Sequence, residues 1–406
     1  MQYRFIAFWV ALAFLVGGFG VAQAGQENGY PTFEPWGQVY SQFSYNISGY
    51  EDYDERYDDN DANAFDLTRV WFGLDSQMSK HWRARIVLAG SRSKLEQEET
   101  AEVPSGKEDD PSTPDVDESV QEVVTGFGSA GKGAFDVYVT YAFFTYKPFD
   151  ALGFDMGMIP NAYNTKIYDY WRYNYIITAA LYVHKMTRSS FGDVGAAVHG
   201  NFPKGYGGYR VALLNGEGKK AEEANAGKAG EVQVHLYPFR SINALSNLSL
   251  MGFVRYDKQE PDYPEMSHLI YDALLSYQLE VADGMGFSLN GEYIQRTTTF
   301  GDDTDAINSV VFSGWADFWF LRNYGLLGRY DYFDPNTEND EDSGVGYEDE
   351  TGHLLAGVFY NPIKQVKLCL NYRMDTYSEK ILDDNGDETD KQPDQYVVFN
   401  TEFKFK

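Results

Sequence analysis

The 406-residue chain has one cysteine, Cys369, so neither an intramolecular disulfide framework nor a cluster of thiolate metal ligands can form. It is short of basic charge: 33 Lys and Arg stand against 61 Asp and Glu, a formal balance of −28. That excludes a nucleic-acid partner, because phosphate affinity comes mostly from basic side chains. Mean hydropathy is −0.45. After the first two dozen residues, no apolar run approaches the roughly 20 residues a spanning helix requires, which excludes a helical membrane bundle. The histidines His81, His184, His199, His235, His268 and His353 are scattered, without the spacing of a metal-binding HExxH pair. No G-x-S-x-G elbow or phosphate loop occurs, so the expectation is no enzyme, no cofactor and no metal. Aromatic residues, in contrast, are abundant at 17%, with Tyr 32 and Phe 28. Disordered acidic chains lack them, so this chain folds.

Residues 1–24 read as a secretory signal peptide. Arg4 precedes the apolar run Phe5–Val16, and Ala22-Gln23-Ala24 supplies the small-x-small cleavage site. From there a period of two takes over. Leu269, Tyr271, Ala273, Leu275, Tyr277, Leu279 and Val281 fall on one face, while His268, Asp272, Ser276, Gln278 and Glu280 fall on the other. Only a β-strand separates side chains in this way. About 16 such segments follow one another, near 36–47, 64–76, 81–92, 133–147, 152–159, 191–202, 208–215, 230–240, 247–257, 267–281, 286–299, 307–320, 324–334, 351–361, 365–377 and 395–405. Short connections alternate with long ones. That pattern predicts an all-β fold: a transmembrane antiparallel β-barrel over residues 25–406, with short periplasmic turns and long extracellular loops in a Gram-negative outer membrane. An even strand count places both chain ends on the periplasmic side. Outer-membrane lipid and lipopolysaccharide are then its surroundings.

The acidity is concentrated in four connections. Segments 48–63, 93–132, 335–350 and 378–394 carry −6, −8, −7 and −5. Solvation of the surface and a cation-gathering vestibule both remain open as explanations. Asp383-Asp384-Asn385-Gly386-Asp387-Glu388 has its glycine fourth rather than sixth and fails the EF-hand pattern. Loop 160–190 is different. Lys166, Arg172, Lys185 and Arg188 oppose only Asp169, giving +3, and Tyr163, Tyr168, Tyr170, Trp171, Tyr173, Tyr175 and Tyr182 surround an apolar middle, Ile176–Leu181. So much apolar surface should pack against something, and the barrel interior is the nearest wall; a lid or a contact between subunits is the other possibility. Assigning the apolar face of each strand to lipid turns Arg69, Arg83, Arg85, Arg210, Arg255, Arg296, Arg329, Lys367 and Arg373 inward. The same assignment turns Asp136, Asp155, Asp193, Asp272, Glu280, Glu292, Asp317, Asp331, Asp375 and Glu402 inward beside them. These charges set selectivity or form an internal salt-bridge lattice.

The final segment, in which Val397, Phe399, Phe403 and Phe405 share a face, resembles the C-terminal strand of outer-membrane barrels, although Lys406 follows the last aromatic. A third long loop rich in aromatics resembles that of the 16-stranded porins. Met158-Ile159-Pro160, Phe191-Gly192-Asp193-Val194-Gly195 and Leu214-Asn215-Gly216-Glu217-Gly218 are similar to the phosphate-selective porin O and P family. The resemblance implies a trimeric, water-filled channel for small hydrophilic solutes or ions, with loop 160–190 narrowing the pore. Its constriction residues would be Lys166, Tyr168, Asp169, Arg172, Lys185 and Arg188, facing an arginine-lined wall of Arg69, Arg83, Arg85, Arg255, Arg296, Arg329 and Arg373. It also implies a preference for anions or phosphate. A barrel without transport remains the alternative, either an adhesin or a sheath for an electron-transfer conduit. An adhesin needs a blocked lumen; a sheath needs a wider barrel without an inward loop.

Overall fold

The computed structural model describes residues 29–48, 63–92, 135–187, 191–216, 218, 227–259, 266–300, 306–337, 350–378, 380–382 and 388–406. The expected signal peptide, Arg188, the Asp383–Asp387 stretch and most of the acidic connections lie outside them.

The strands are β1 (Thr32–Asn46), β2 (Asn63–Gln77), β3 (Trp82–Arg92), β4 (Phe135–Phe149), β5 (Leu152–Pro160), β6 (Gly192–Asn201), β7 (Gly207–Leu214), β8 (Ala229–Leu236), β9 (Ser249–Gln259), β10 (Met266–Ala282), β11 (Met285–Phe300), β12 (Ile307–Phe320), β13 (Tyr324–Asp334), β14 (Thr351–Ile363), β15 (Val366–Tyr377), β16 (Lys380–Leu382), β17 (Glu388–Asp390) and β18 (Asp394–Phe405). β16 and β17 pair only with each other, inside a connection the sequence shows as plain loop. The other sixteen close into one antiparallel barrel. Each is paired to its neighbours in sequence, and β18 lies between β15 and β1.

Alternation sets the two faces. Along β10, Tyr271, Ala273 and Leu275 are exposed on the outside, while His268, Ile270, Asp272, Leu274 and Ser276 are buried inside. Closure satisfies every strand's backbone hydrogen bonds without an edge, which is what a sheet in hydrocarbon requires. Outward aromatics gather at both rims of the apolar belt. Near the short turns, Trp82 packs on Phe144 and Tyr146, and Tyr324 stacks on Phe320 and Tyr360. At the opposite rim, Phe43 meets Phe65, and Phe312 lies between Tyr293 and Tyr332. Aromatic rings are favoured at both membrane–water interfaces.

Connections between successive strands shrink to two residues at Asp150–Ala151, Asp283–Gly284 and Lys364–Gln365. Gly284 takes left-handed backbone, at φ +73°, to close the second of these. The turn after β8 is longer than the Ser241–Ser246 expected from sequence. It runs over 237–248 and contains a 3-10 turn at Asn243–Leu245.

The inner face is less polar than alternation implied. Ile270, Leu274, Ile294, Val311, Trp315, Leu327, Leu355 and Phe359 all point inward and are buried. They are dry because the segment following β5 covers them.

Candidate functional site

That segment opens with two short helices, α1 (Asn164–Tyr170) and α2 (Ala180–Val183). Tyr163, Ile167, Trp171, Tyr173, Tyr175, Ile176, Leu181 and Met186 are buried in one cluster with the inward apolar side chains of β9 to β15. Burial of this apolar surface is what holds the segment against the wall. Tyr163 sits against Phe253, and Trp171 sits edge-on to Trp315.

Polar contacts fix its register around the circumference. The backbone N–H of Ala162 donates to Glu231 on β8 at 2.6 Å, and the Tyr163 hydroxyl donates to Glu292 on β11 at 2.8 Å. Arg172 forks onto Asp317 of β12 at 2.8 and 2.9 Å. From the wall, Arg329 donates to the Thr178 carbonyl, Arg373 to the Ile176 carbonyl and Arg296 to the Lys185 carbonyl, at 2.9 to 3.0 Å. His184 Nε2 lies 3.1 Å from Asp331 of β13. On the far side, Tyr141 of β4 donates to the Phe191 carbonyl, and the Arg69 guanidinium of β2 stacks on Tyr40, Trp71 and Phe191.

Most inward bases are matched with acids. Arg85 pairs with Asp75, Arg210 with Asp155, Arg329 with Asp331, Lys367 with Glu402, and Arg255 with both Glu231 and Asp257. Arg69, Arg83 and Arg85 therefore do not form a continuous basic strip: Arg85 is neutralised, Arg83 donates to Gln77, and Arg69 is enclosed by rings. Within the loop, Lys166 pairs with Asp169 at 2.7 Å. Burial pulls the Lys166 ammonium down, but Asp169 beside it outweighs that, so the ammonium stays charged. Burial pushes the Tyr168 phenol up to about 12, so it stays a neutral hydroxyl, in contact with Thr178. Lys185 is exposed, with left-handed backbone at φ 50°.

Two cavities flank the loop. One, of about 210 Å³, lies between Met186 and Thr187 and the side chains of Asp257, His268, Arg296 and Thr298. The other, of about 450 Å³, lies between Ile177, Val183 and His184 and the wall of β1, β14, β15 and β18. Sequence reasoning missed the second. Its residues come from strands far apart in the chain, and only barrel closure brings them together. Among the described residues, no cluster of three or more His, Cys, Asp or Glu side chains is placed to hold a metal. Cys369 is a free thiol, inward and buried under the loop.

No family model and no curated protein matches this sequence. Solved structures match it in shape. An anion-selective porin from Comamonas acidovorans is 10% identical, covering 93% of this chain and 100% of its own, with a TM-score of 0.59. Outer-membrane expressed OmpT of Vibrio cholerae is 9% identical over 93% of this chain and 99% of its own, with a TM-score of 0.57. The outer membrane channel DcaP of Acinetobacter baumannii is 11% identical over 94% and 99%, with a TM-score of 0.52. At these identities the likeness is one of fold. With its closed ladder and apolar outer belt, the chain is a sixteen-stranded outer-membrane β-barrel.

Proposed function

We propose that the protein is an outer-membrane porin: a water-filled, passive channel for small hydrophilic solutes and ions, with loop 160–190 as its constriction. The observation that carries this reading is the contact of segment 161–187 with side chains inside the barrel, with charged cavities beside it. A sheath for a second protein needs a free bore, and the loop occupies that space.

Charge selectivity in this reading comes from the bases that no carboxylate among the described residues neutralises. Arg69 faces rings, Arg83 meets Gln77, and Arg373 meets amide and backbone carbonyls. They favour anions modestly, short of a dedicated phosphate filter, because the salt-bridge lattice cancels most of the remaining charge. Assembly as a homotrimer accompanies the porin reading, as in the trimer form of the Vibrio cholerae neighbour.

The decisive test is planar-bilayer recording of the purified, folded protein. Stepwise conductance with a reversal potential displaced in asymmetric KCl is the expected result. A folded sample that never opens in steps would overturn the porin reading.

A further inference from the structure

The larger lumenal cavity has a fixed arrangement of opposite charges. Arg373 is held in place by groups that leave its charge intact. Its Nε donates to Asn371 at 2.9 Å, and one terminal nitrogen donates to the Ile176 carbonyl at 2.9 Å and to Asn400 at 3.0 Å. Among the described residues, no carboxylate lies within ion-pair distance of it. The other terminal nitrogen makes no hydrogen bond among the described residues. Two residues along the same inward face stands Asp375, whose Oδ1 is bonded to His353 Nδ1 and whose side chain is one-third exposed, at 34%. Tyr377 and Tyr396 complete that wall.

From this geometry we infer a subsite for zwitterionic solutes of dipeptide size, bound by its carboxylate at Arg373 and by its ammonium at Asp375. The inference rests on the channel reading and names its solute class. Residues i and i+2 of a strand are roughly 6.6 Å apart. The two ends of an extended dipeptide are separated by about 7 Å, a match to that backbone spacing of which a single amino acid falls short. A planar guanidinium with donors to spare is suited to a carboxylate fork. Tyrosine faces beside it offer contact to a short peptide backbone.

The test uses glycylglycine, with acetate as control, on single channels and by saturation-transfer NMR of the folded protein in detergent. Millimolar glycylglycine should interrupt the open-channel current and receive saturation. Arg373→Gln should weaken both at least tenfold. Asp375→Asn should weaken glycylglycine to the level of acetate while leaving the acetate response unchanged. Heat-modifiable gel mobility reports that each variant is folded, and the Asp375→Asn arm carries the test if Arg373→Gln is not. Current steps without interruption or saturation transfer, or equal block in wild type and Asp375→Asn, would sink the subsite and leave the channel standing. Saturation transfer without current steps would do the reverse.

Discussion

Arg255 on β9 and Arg373 on β15 are both guanidiniums aimed into the lumen, from well-separated parts of the wall, yet they do different work. Arg255 is clamped between Glu231 and Asp257, and Glu231 in turn accepts an N–H from the start of the loop, at Ala162. It is a pin. Arg172 is the loop's reciprocal pin, set on a buried Asp317 that also accepts from Ser288. Arg172→Ala leaves that carboxylate buried and uncompensated, a loss of roughly 3 kcal/mol for such a pair. We expect noisier open-channel current and a lower unfolding midpoint in urea, with Asp317→Asn milder because it removes the stranded charge. Cys369 gives a second probe. It lies under Tyr173 and Tyr175 at 1% exposure, so a maleimide should label it only after unfolding, or faster once Arg172→Ala loosens the cover. Immediate labelling of the folded wild type would contradict the docked loop.

Among the elements, the strands were the legible part. Alternation of apolar and polar residues over β10, β11 and β15 gives both the state and the face, and even the short segments near 152–159 and 208–215 form β5 and β7. Outward Leu275 near the middle of β10 should not tolerate charge: Leu275→Arg costs about 2–4 kcal/mol at the bilayer midplane, measurable as a shift in urea unfolding from liposomes. The loop was legible only in part. Its aromatic excess announced that it must be covered, but α1 and α2 carry no amphipathic period long enough to read, and the small hairpin β16–β17 is equally short. Nor is there a local signal for pairing Arg172 with a residue 145 positions away. Period-two reading also hid Ile270 and Leu274, since an inward apolar residue looks like an error until its cover is seen. Replacing Lys166, Arg172, Lys185 and Arg188 together by Ala should move the reversal potential toward cations. An unchanged value would remove this loop from ion selection.

For the whole molecule, two forces share one wall. The apolar belt and its aromatic rims hold the barrel in hydrocarbon, and the inner lattice of paired charges holds the loop. High salt weakens exposed ion pairs more than buried ones, so the exposed Arg85–Asp75 contact should yield before the Arg255 clamp, which is 1% exposed. The formal −28 belongs mostly to the connections, which leaves the spanning wall near neutrality.

The seam between β1 and β18 runs from Gly37 opposite Phe405 to Asn46 opposite Tyr396, and β18 also supplies the partner for β15. β18 thus stitches both margins of the cylinder. Without it the sheet would keep two raw edges, unable to live in lipid. Closure within the bilayer is therefore complete only once β18 has arrived.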